Sequence, residues 1–481
     1  MEIVATKVCI LGAGPAGLAA AHELARHGVD DLVIVDRNPR PGGLARTVEY
    51  PGARFDVGPH RFFTKNAEVN ALWHRSLGPD FLPVRRLTRI YHRGKLFRYP
   101  LEPADTLRNL GAAEAVQALV SYAAAQLQAA AVPANFEEWA VRSFGHKLYE
   151  TFFKTYTEKI WGIPCAQIGP EWANQRIKGL DLRAVVAHAL RRTRGHGPRS
   201  MVEEFDYPRL GAGMMYERIW EGIASPARRL LASATVTGIR HAGSRITAVE
   251  LERHGRPVRV VADHFLSSLP LTRFFQMLAP AAPAALLRAA SELYYREHIT
   301  VNLAVEGAGL FPDQWIYIHE PGLRMARVAN YNNFSPDMTA SREVTALSVE
   351  YFAFQRDDLW RLADADLAAL AVDEMEFAGL LPRGRPHRSW VVRETESYPT
   401  YFLGYREAFS RLKGAMARFA NCAPIGRGGM YRYNNMDHSV YTGLLAARNY
   451  LAPQAPGYDV WAVNTDAEYH ESGPRPLAAA G

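Results

Sequence analysis

The chain has 481 residues, of which 48% are hydrophobic and 22% are charged. This composition is typical of globular proteins and excludes collagen-like or largely disordered structure, while the length predicts two or three compact units. The formal net charge of +7 favours anionic ligands, and three cysteines without a C-x-x-C pair exclude a disulfide framework and indicate a reducing, cytoplasmic location.

The N-terminal segment has the pattern strand, glycine turn, helix, strand, and no signal peptide is expected ahead of it. The apolar run Val8–Leu11 ends at Gly12, Gly14 and Gly17, and the second strand ends in Asp36. Gly12 permits a tight turn, Gly14 lets the backbone approach a pyrophosphate, and Gly17 lets helix and strand pack closely. Asp36 can accept hydrogen bonds from a ribose. The pattern therefore predicts a Rossmann-like dinucleotide site.

A second glycine-rich stretch, RNPRPGGLART at residues 37–47, follows the second strand. It resembles the second glycine signature of the two-dinucleotide-binding-domain flavoproteins, which favours FAD over NAD. By that resemblance Arg37, Gly43 and Leu44 contribute to cofactor binding.

Such flavoproteins return to the FAD domain in the region that matches residues 234–270, where short strands are predicted, and Val236 would lie beside the adenine. A second dinucleotide fingerprint is not found. The glycines of RLGAGMM, residues 209–215, follow a proline and not an apolar strand, so a turn is predicted there and a separate NAD(P) domain is not.

The most apolar helical run, residues 115–132, is rich in alanine and carries three glutamines. It is predicted to be a packed helix, with peripheral membrane contact as the alternative and no stable membrane insertion. The basic cluster at residues 191–200 is predicted to be a solvated loop. No nucleic-acid motif and no metal-ligand set is predicted.

The run GRGGMYRYNNMDHS, residues 426–439, concentrates polar side chains between glycines. A core strand would not tolerate it, because each buried polar group without a partner costs about 1–3 kcal/mol. Guanidinium forks bind pyrophosphate bidentately, and tyrosines add donors without a strongly hydrated charge. The run is therefore predicted to line an anion and cofactor site.

Several blocks together resemble the UDP-galactopyranose mutases, FAD enzymes that interconvert pyranose and furanose forms of a sugar. The resemblance is spread from the first to the last hundred residues and includes the specific patterns YTEKIW and GRxGxYRY. The blocks are FDVGPHRFFT (55–64), FFKTYTEKIWGIP (152–164), RMARVANYNNF (324–334), SYPT (397–400), GRGGMYRYNNMDHS (426–439) and VWAVNTDAEYHE (460–471).

The resemblance implies roles for individual residues. His60 would neighbour the flavin ring, Arg427 would lie near the flavin, and Asn435 would contact the sugar. Arg176 and Arg327 would reach the diphosphate of the sugar nucleotide. The cofactor set would include Gly426 and Met436, and the substrate wall and donors would be Phe152, Phe153, Tyr156, Thr157, Trp161, Tyr398 and Tyr433.

Simpler structural interpretations stay open for the same residues. Trp161 and the phenylalanines are also compatible with core positions, because aromatic residues dominate cores. Arg427 and Arg432 are compatible with ion pairs to Asp437 or Glu468. His60 is compatible with a turn histidine.

The sequence also departs from the mutase pattern. Gly42, Gly43 and Leu44 stand where mutases have GGN, and the uridine-binding block is not found between Arg176 and Tyr207. That segment instead resembles mutase-like proteins described as protoporphyrinogen-oxidase-like or amine-oxidase-like. The nucleotide is left open.

Two functions follow from these resemblances. The first is an FAD-dependent mutase-like isomerase of a nucleotide-linked sugar, in which N5 of the reduced flavin is the nucleophile at the anomeric carbon. The alternative is an FAD-dependent oxidase or dehydrogenase of the amine oxidase or protoporphyrinogen oxidase type. The expected partner is a nucleotide sugar or another anionic small molecule, and not nucleic acid. The electron donor is not identified, and an oligomer is compatible with the sequence.

The expected fold is α/β, with a doubly wound FAD-binding domain, a helical domain and a mixed-sheet substrate domain. The FAD-binding domain is predicted at residues 1–100, 203–270 and 424–481. The helical cap is predicted at residues 101–202 and the mixed α/β substrate domain at residues 271–423.

Overall fold

The computed structural model describes residues 1–127, 132–170 and 204–464. Arg176, Glu468, the basic cluster at 191–200 and most of the segment that departs from the mutase pattern lie outside these ranges. The strands are β1 (Glu2–Leu11), β2 (Leu32–Val35), β3 (Thr47–Tyr50), β4 (Ala53–Asp56), β5 (Phe81–Arg85), β6 (Thr88–His92), β7 (Lys95–Arg98), β8 (Glu204–Pro208), β9 (Arg228–Leu231), β10 (Ala234–Ala242), β11 (Arg245–Arg253), β12 (Arg256–Ser267), β13 (Leu278–Ala279), β14 (Tyr295–Glu306), β15 (Trp315–Ile318), β16 (Arg327–Asn330), β17 (Val344–Ala353), β18 (His387–Pro399) and β19 (Cys422–Pro424).

The α-helices are α1 (Pro15–Arg26), α2 (Ala67–Leu77), α3 (Pro103–Leu110), α4 (Ala112–Gln126), α5 (Phe136–Phe144), α6 (His146–Tyr149), α7 (Thr155–Trp161), α8 (Gly213–Ile223), α9 (Leu271–Gln276), α10 (Ala284–Glu292), α11 (Asp358–Arg361), α12 (Asp364–Phe377), α13 (Tyr405–Met416), α14 (Gly426–Gly429) and α15 (Met436–Leu451). A π-helical segment, Glu150–Lys154, joins α6 to α7.

The first sheet has β1 at its centre, between β12 and β2, with all three parallel. The complete order is β13-β10-β11-β12-β1-β2-β9, and β19 also pairs with β12. The run Val8–Leu11 and the whole of β2 are buried, as expected for parallel strands covered on both faces.

Helices cover both faces of this sheet. On one face α1 packs with α8 and α15, and on the other face α9, α10 and α13 cover the strands. A Cβ on Gly443 of α15 would lie 2.0 Å from the carbonyl oxygen of Ala16 in α1, so the two helices meet at backbone distance. The predicted doubly wound α/β domain is confirmed.

The second sheet has the order β18-β14-β17-β16-β15-β6-β7. Neighbouring strands are antiparallel except for β15 and β6, which are parallel. Helix α12 covers one face through an apolar cluster. The opposite face carries the polar residues described below. A mixed sheet was predicted, and β6 and β7 show that it also takes strands from the first hundred residues; the domain boundaries themselves stay a prediction.

Helices α3–α7 form a layer beside the second sheet, held by two aromatic clusters. In α4 the alanines Ala115, Ala118 and Ala125 are buried, whereas Val116 and Val120 are exposed. None of the helices within the described ranges has the length and hydropathy needed to cross a membrane. The three cysteines are free and buried.

Candidate active site

The first glycine turn closes tightly at the carboxyl end of β1. Gly12 has φ +110°, and its amide donates to the carbonyl of Val35 at 2.8 Å. A Cβ on Gly12 would lie 2.0 Å from Ser268 Oγ, and a Cβ on Gly17 would lie 1.9 Å from the Gly12 carbonyl oxygen. The sequence prediction of a tight turn and a close helix contact therefore has a geometric basis at both positions.

The second glycine segment lies directly on the first. The Gly42 amide donates to the Ala13 carbonyl at 2.8 Å, and a Cβ on Gly43 would lie 2.9 Å from the Cα of Gly14. Leu44 follows in a short 3₁₀ turn and is partly exposed. Two backbone segments without side chains thus meet at the N-terminus of α1, which suits a pyrophosphate that approaches the backbone.

Asp36 lies at the end of β2, as predicted. One carboxylate oxygen accepts from the Ala13 amide at 2.7 Å, and the other accepts from the Asn38 amide at 2.7 Å. Burial raises the pKa of Asp36, while the bonds from Asn38 and Ala13 lower it. The Ala234 amide donates to the Asp36 carbonyl at 2.9 Å, so β10, which carries Val236, begins beside Asp36. The contact of Val236 with the adenine stays a prediction.

Arg37 and Arg46 both bind the buried carboxylate of Glu394 in β18. Arg46 also donates to the Gly43 carbonyl at 2.9 Å. The second glycine segment is therefore tied to the second sheet by a buried carboxylate. Arg37 was predicted to bind the cofactor; its guanidinium is engaged with Glu394 and with Thr395 Oγ1 at 3.0 Å, and the cofactor role stays a prediction.

The polar run 426–439 returns to the same turn. Gly426 has φ +70°, and a Cβ there would lie 3.0 Å from Ala16 Cβ in α1. Met436 is the buried first residue of α15. Asn435 is the N-cap of this helix: its side chain accepts from the third helical amide, and the ring of His438 closes a capping box. Helix capping explains Asn435, and its predicted contact with a sugar stays a prediction.

Arg327 forms a bidentate ion pair with Glu350 on the neighbouring strand, with both N–O distances at 2.5 Å. Glu350 is fully buried and also accepts from His298 Nε2 at 2.8 Å. Burial would raise the pKa of Glu350, yet Arg327 and His298 outweigh it and lower the pKa to about 2. Arg327 is therefore positioned on the sheet face by a buried carboxylate, which accepts from two of its five N–H donors.

Sequence reasoning missed Glu350 and His298. A glutamate as the one charged residue of the buried strand VTALSVEYFA signals a buried carboxylate that requires a partner. The sequence does not say that Arg327 is that partner.

His60 follows the turn at Gly58, where a Cβ would lie 3.1 Å from His298 Cε1. Burial, followed by the positive charges of Arg427 and Arg327, lowers the pKa of His60 to about 3. The ring is therefore neutral at physiological pH. Its Nδ1 is buried and has no hydrogen-bond partner among the described residues, so the ring offers a polar atom to a ligand.

Arg427 is bracketed by two tyrosine rings. Its guanidinium carbon lies 4.9 Å from the ring centroids of both Tyr398 and Tyr433. Its Nε donates to the Asn434 carbonyl at 3.0 Å, and its Nη1 donates to the Ser397 carbonyl at 3.3 Å. Arg432 donates to the Trp461 and Val463 carbonyls. The structural alternative of an ion pair from Arg427 or Arg432 to Asp437 stays a prediction, and pairing with Glu468 lies outside the described residues.

The motif YTEKIW forms α7, and its lysine and tryptophan have distinct positions. Lys159 Nζ donates to the carbonyl of Ile318 at the end of β15 and to those of Glu320 and Met325 in the following loop, at 2.7–3.1 Å. Trp161 is buried 6.1 Å from the Tyr433 ring. Arg296 binds the Lys159 and Ile160 carbonyls at the end of the helix, so the last turn of α7 is fixed against the second sheet.

Of four further residues in the predicted substrate wall, some lie near the candidate site and others pack in the core. Tyr156 stacks on His319 at 4.8 Å; burial raises the pKa of its hydroxyl, and the positive charge of Arg327 opposes this rise. Thr157 is buried on the same helix. Phe152 is buried against Phe97 at 5.1 Å, and Phe153 stacks on Phe144 at 4.6 Å. The structure thus brings Tyr156 towards Arg327, whereas Phe152 packs between the helical layer and β6–β7, and Phe153 packs within the helical layer.

Fold and glycine turns together define a dinucleotide-binding domain of the Rossmann type, with a polar sheet face beside the turns. A family model described as an NAD(P)-binding Rossmann-like domain matches residues 10–76. A solved structure of reduced UDP-galactopyranose mutase superposes with a TM-score of 0.81 and 22% identity, covering 96% of this chain and 97% of that one. A putative protoporphyrinogen oxidase from Exiguobacterium superposes with a TM-score of 0.69 and 16% identity, covering 93% of this chain and 99% of the other.

Two curated relatives are mutases. A probable UDP-galactopyranose mutase of Klebsiella pneumoniae is 30% identical over 169 residues, 34% of this chain and 42% of the relative. A dTDP-fucopyranose mutase of Escherichia coli is 30% identical over 168 residues, 34% of this chain and 43% of the relative. The matched part of the chain thus spans less than half the length of these relatives. The resemblance to UDP-galactopyranose mutases is confirmed, and it supports FAD as the dinucleotide.

Proposed function

We propose that this protein is an FAD-dependent, mutase-like isomerase of a nucleotide-linked sugar. The observation that carries the proposal is the position of Arg327, Arg427 and two tyrosines on one side of the glycine turns, around the neutral ring of His60. An apolar substrate would leave the buried Nδ1 of His60 without a hydrogen-bond partner, at a cost of about 1–3 kcal/mol, and would give the remaining guanidinium donors no acceptor, whereas a sugar diphosphate supplies both.

The donors differ in how they are held. Glu350 fixes the plane of the Arg327 guanidinium through two short bonds. Arg427 is held by two backbone carbonyls and by the rings of Tyr398 and Tyr433. Neither guanidinium needs to change rotamer when an anion arrives, so little conformational entropy is lost on binding. We assign Arg327, Arg427 and the two tyrosine hydroxyls to the diphosphate.

Reduced FAD, when bound, would supply a nucleophile at N5 for the anomeric carbon, with no net redox change. The residues of the chain would retain the displaced nucleoside diphosphate so that its return to the sugar is intramolecular. His60 would remain neutral and use Nδ1 for a hydrogen bond to the flavin or to a sugar hydroxyl. Trp161 and Tyr156 would form the wall over the sugar nucleotide.

The test is an isomerisation assay with UDP- and dTDP-linked sugars, on FAD-loaded protein before and after reduction by dithionite. Turnover is expected only with reduced protein, and Tyr398→Phe and Arg427→Lys are expected to lower kcat/KM by about 10- to 100-fold, the loss of one charge-assisted bond. The matched control is Arg393→Lys, on the same strand β18 but paired with Asp364, which should leave kcat/KM unchanged.

Turnover by the oxidised protein would refute the proposal. Substrate-dependent formation of hydrogen peroxide would instead support the oxidase alternative, whose fold is shared by the putative protoporphyrinogen oxidase.

A further inference from the structure

The guanidinium group of Arg86 is buried, and within the described residues only part of its hydrogen-bonding capacity is used. It lies in the link between β5 and β6, where Nε donates to Thr88 Oγ1 at 3.4 Å. Its Nη1 and Nη2 atoms are both buried, and neither has a hydrogen-bond partner within the described parts of the chain. Four N–H donors are thus without an acceptor, which costs stability unless a ligand supplies one.

Aromatic rings surround this guanidinium. Its carbon atom lies 5.5 Å from the Tyr99 ring centroid and 5.9 Å from the Trp315 ring centroid. The guanidinium of Arg61 lies 5.9 Å from the same Trp315 ring. Burial and then the charge of Arg61 lower the pKa of Arg86 to about 10, so Arg86 remains a cation at neutral pH. Among the described residues no carboxylate forms an ion pair with it.

Arg86 adjoins the proposed substrate site at the end opposite Arg427. Tyr317 is the cross-strand partner of Arg327, so both side chains lie on one face of the sheet. Trp315 is two residues along the same strand and shares that face. The Tyr317 ring also contacts the rings of Tyr99 and Tyr156, at 5.1 Å and 5.2 Å.

Strand order separates the two cationic ends. Tyr398, which brackets Arg427, is on β18 at one edge of the sheet, β16 carries Arg327, and Arg86 precedes β6 beyond β15. Neighbouring strands are about 4.8 Å apart, so Arg86 lies on the order of 10 Å from Arg327, roughly the span of one sugar ring and its substituents. A diphosphate bound by Arg327 and Arg427 would therefore not reach Arg86, so Arg86 can bind a different group of the substrate.

We infer that Arg86, with Arg61 beside it, binds a second oxyanion, carried by the sugar part of the substrate. The inference rests on the proposed function and deepens it: the sugar would be acidic, with a carboxylate or a phosphate at the end remote from the nucleotide. A planar guanidinium fork binds either group bidentately.

The test uses free ligands, so that it does not depend on nucleotide binding. FAD-loaded protein would be titrated calorimetrically with galacturonate, galactose 6-phosphate, neutral galactose and, separately, UDP. The wild type is expected to bind one of the two anionic sugars at least about 10-fold more tightly than galactose, the value of one charge-assisted bond. Tighter binding of galacturonate would identify the oxyanion as a carboxylate, and tighter binding of galactose 6-phosphate would identify it as a phosphate.

Arg86→Gln is expected to abolish this preference while leaving the affinity for UDP unchanged. Its melting temperature should equal or exceed that of the wild type, because an unsatisfied buried cation is removed, and only the wild type should gain melting temperature from the anionic sugar. The matched control is Arg85→Gln, the exposed neighbouring residue, which should keep the preference. If Arg86→Gln does not fold, Arg86→Lys is expected to retain the charge but lose most of the preference.

Equal affinity of the wild type for galactose and both anionic sugars would overturn the inference. So would an equal weakening of UDP binding by Arg86→Gln, which would assign Arg86 to the diphosphate. Absence of UDP binding with an Arg86-dependent preference for an anionic sugar would refute the proposed nucleotide-sugar function and leave the anion site standing.

Discussion

Replacement of Glu350 by glutamine tests whether the site arginine is positioned by a buried carboxylate. The change keeps the shape of the side chain and removes its charge, so that Arg327 becomes a cation without an ion-pair partner in the protein interior. His298 can still donate to the new amide oxygen. The perturbation therefore isolates the two short bonds between Glu350 and Arg327.

The magnitude follows from the environment of the carboxylate. Glu350 is 0% exposed, and its pKa is lowered from 4.5 to about 2, which corresponds to about 3 kcal/mol in favour of the charged form. Breaking a buried ion pair by removing one partner costs about 3–5 kcal/mol. Both estimates predict that Glu350→Gln lowers the free energy of unfolding by about 3 kcal/mol or more at pH 7.

The pH dependence has a definite sign. Because the pKa of Glu350 is lower in the folded state, its contribution to stability is complete above about pH 4.5 and is lost as the pH falls towards 2. The difference in free energy of unfolding between wild type and Glu350→Gln should therefore be constant from pH 5 to 8 and shrink below pH 4.

The assay is urea unfolding of FAD-loaded protein followed by tryptophan fluorescence, with wild type, Glu350→Gln, Arg327→Met and the double variant. The double variant should be more stable than Glu350→Gln, because no uncompensated charge remains. It should also lack isomerase activity, which separates the structural role of the pair from the anion-binding role of Arg327. A Glu350→Gln variant within 1 kcal/mol of wild type, or simple additivity in the double variant, would refute this reasoning.

Three further predictions concern the cofactor turn, a buried aspartate and the lysine of α7. Gly17→Ala places a Cβ 1.9 Å from a backbone oxygen and should yield protein purified without flavin absorbance, whereas Gly222→Ala, with nothing within 4 Å, should retain FAD. Burial raises the pKa of Asp56 from 3.8 to about 7, so the folded state holds the proton more tightly than the unfolded state does. Urea unfolding should therefore show that the free energy of unfolding of the wild type, relative to Asp56→Asn, falls by up to about 4 kcal/mol as the pH rises from 4 to 8. A difference between the two proteins that does not change with pH would contradict this prediction. Lys159→Met leaves three carbonyls without their donor and should lower the free energy of unfolding in urea by about 2–4 kcal/mol. The control Lys154→Met, at an exposed position, should change it by less than about 0.5 kcal/mol. Equal stabilities of the two variants would refute the role of Lys159 in holding α7 on the second sheet.

The sequence by itself predicted the dinucleotide turn, because that chemistry is local. Gly12, Gly14 and Gly17 act within one turn and one helix, and their spacing follows from backbone sterics alone. Asp36 ends the next strand of a unit whose handedness and connection length are fixed. The polar run 426–439 likewise indicated a binding site, because so many polar groups cannot lie in a core strand.

Only the tertiary structure decided which polar groups meet. Arg327 and Glu350 are 23 residues apart and pair because β16 and β17 adopt one particular register, and a shift of one residue would place them on opposite faces. Phe152 packs in the core and Asn435 caps a helix, although both belong to blocks that resemble a substrate site. Arg86 carries no motif at all: its significance comes from the burial of Nη1 and Nη2 beside Trp315, without an acceptor among the described residues. Strand register and side-chain burial arise from the whole chain, and no local pattern encodes them.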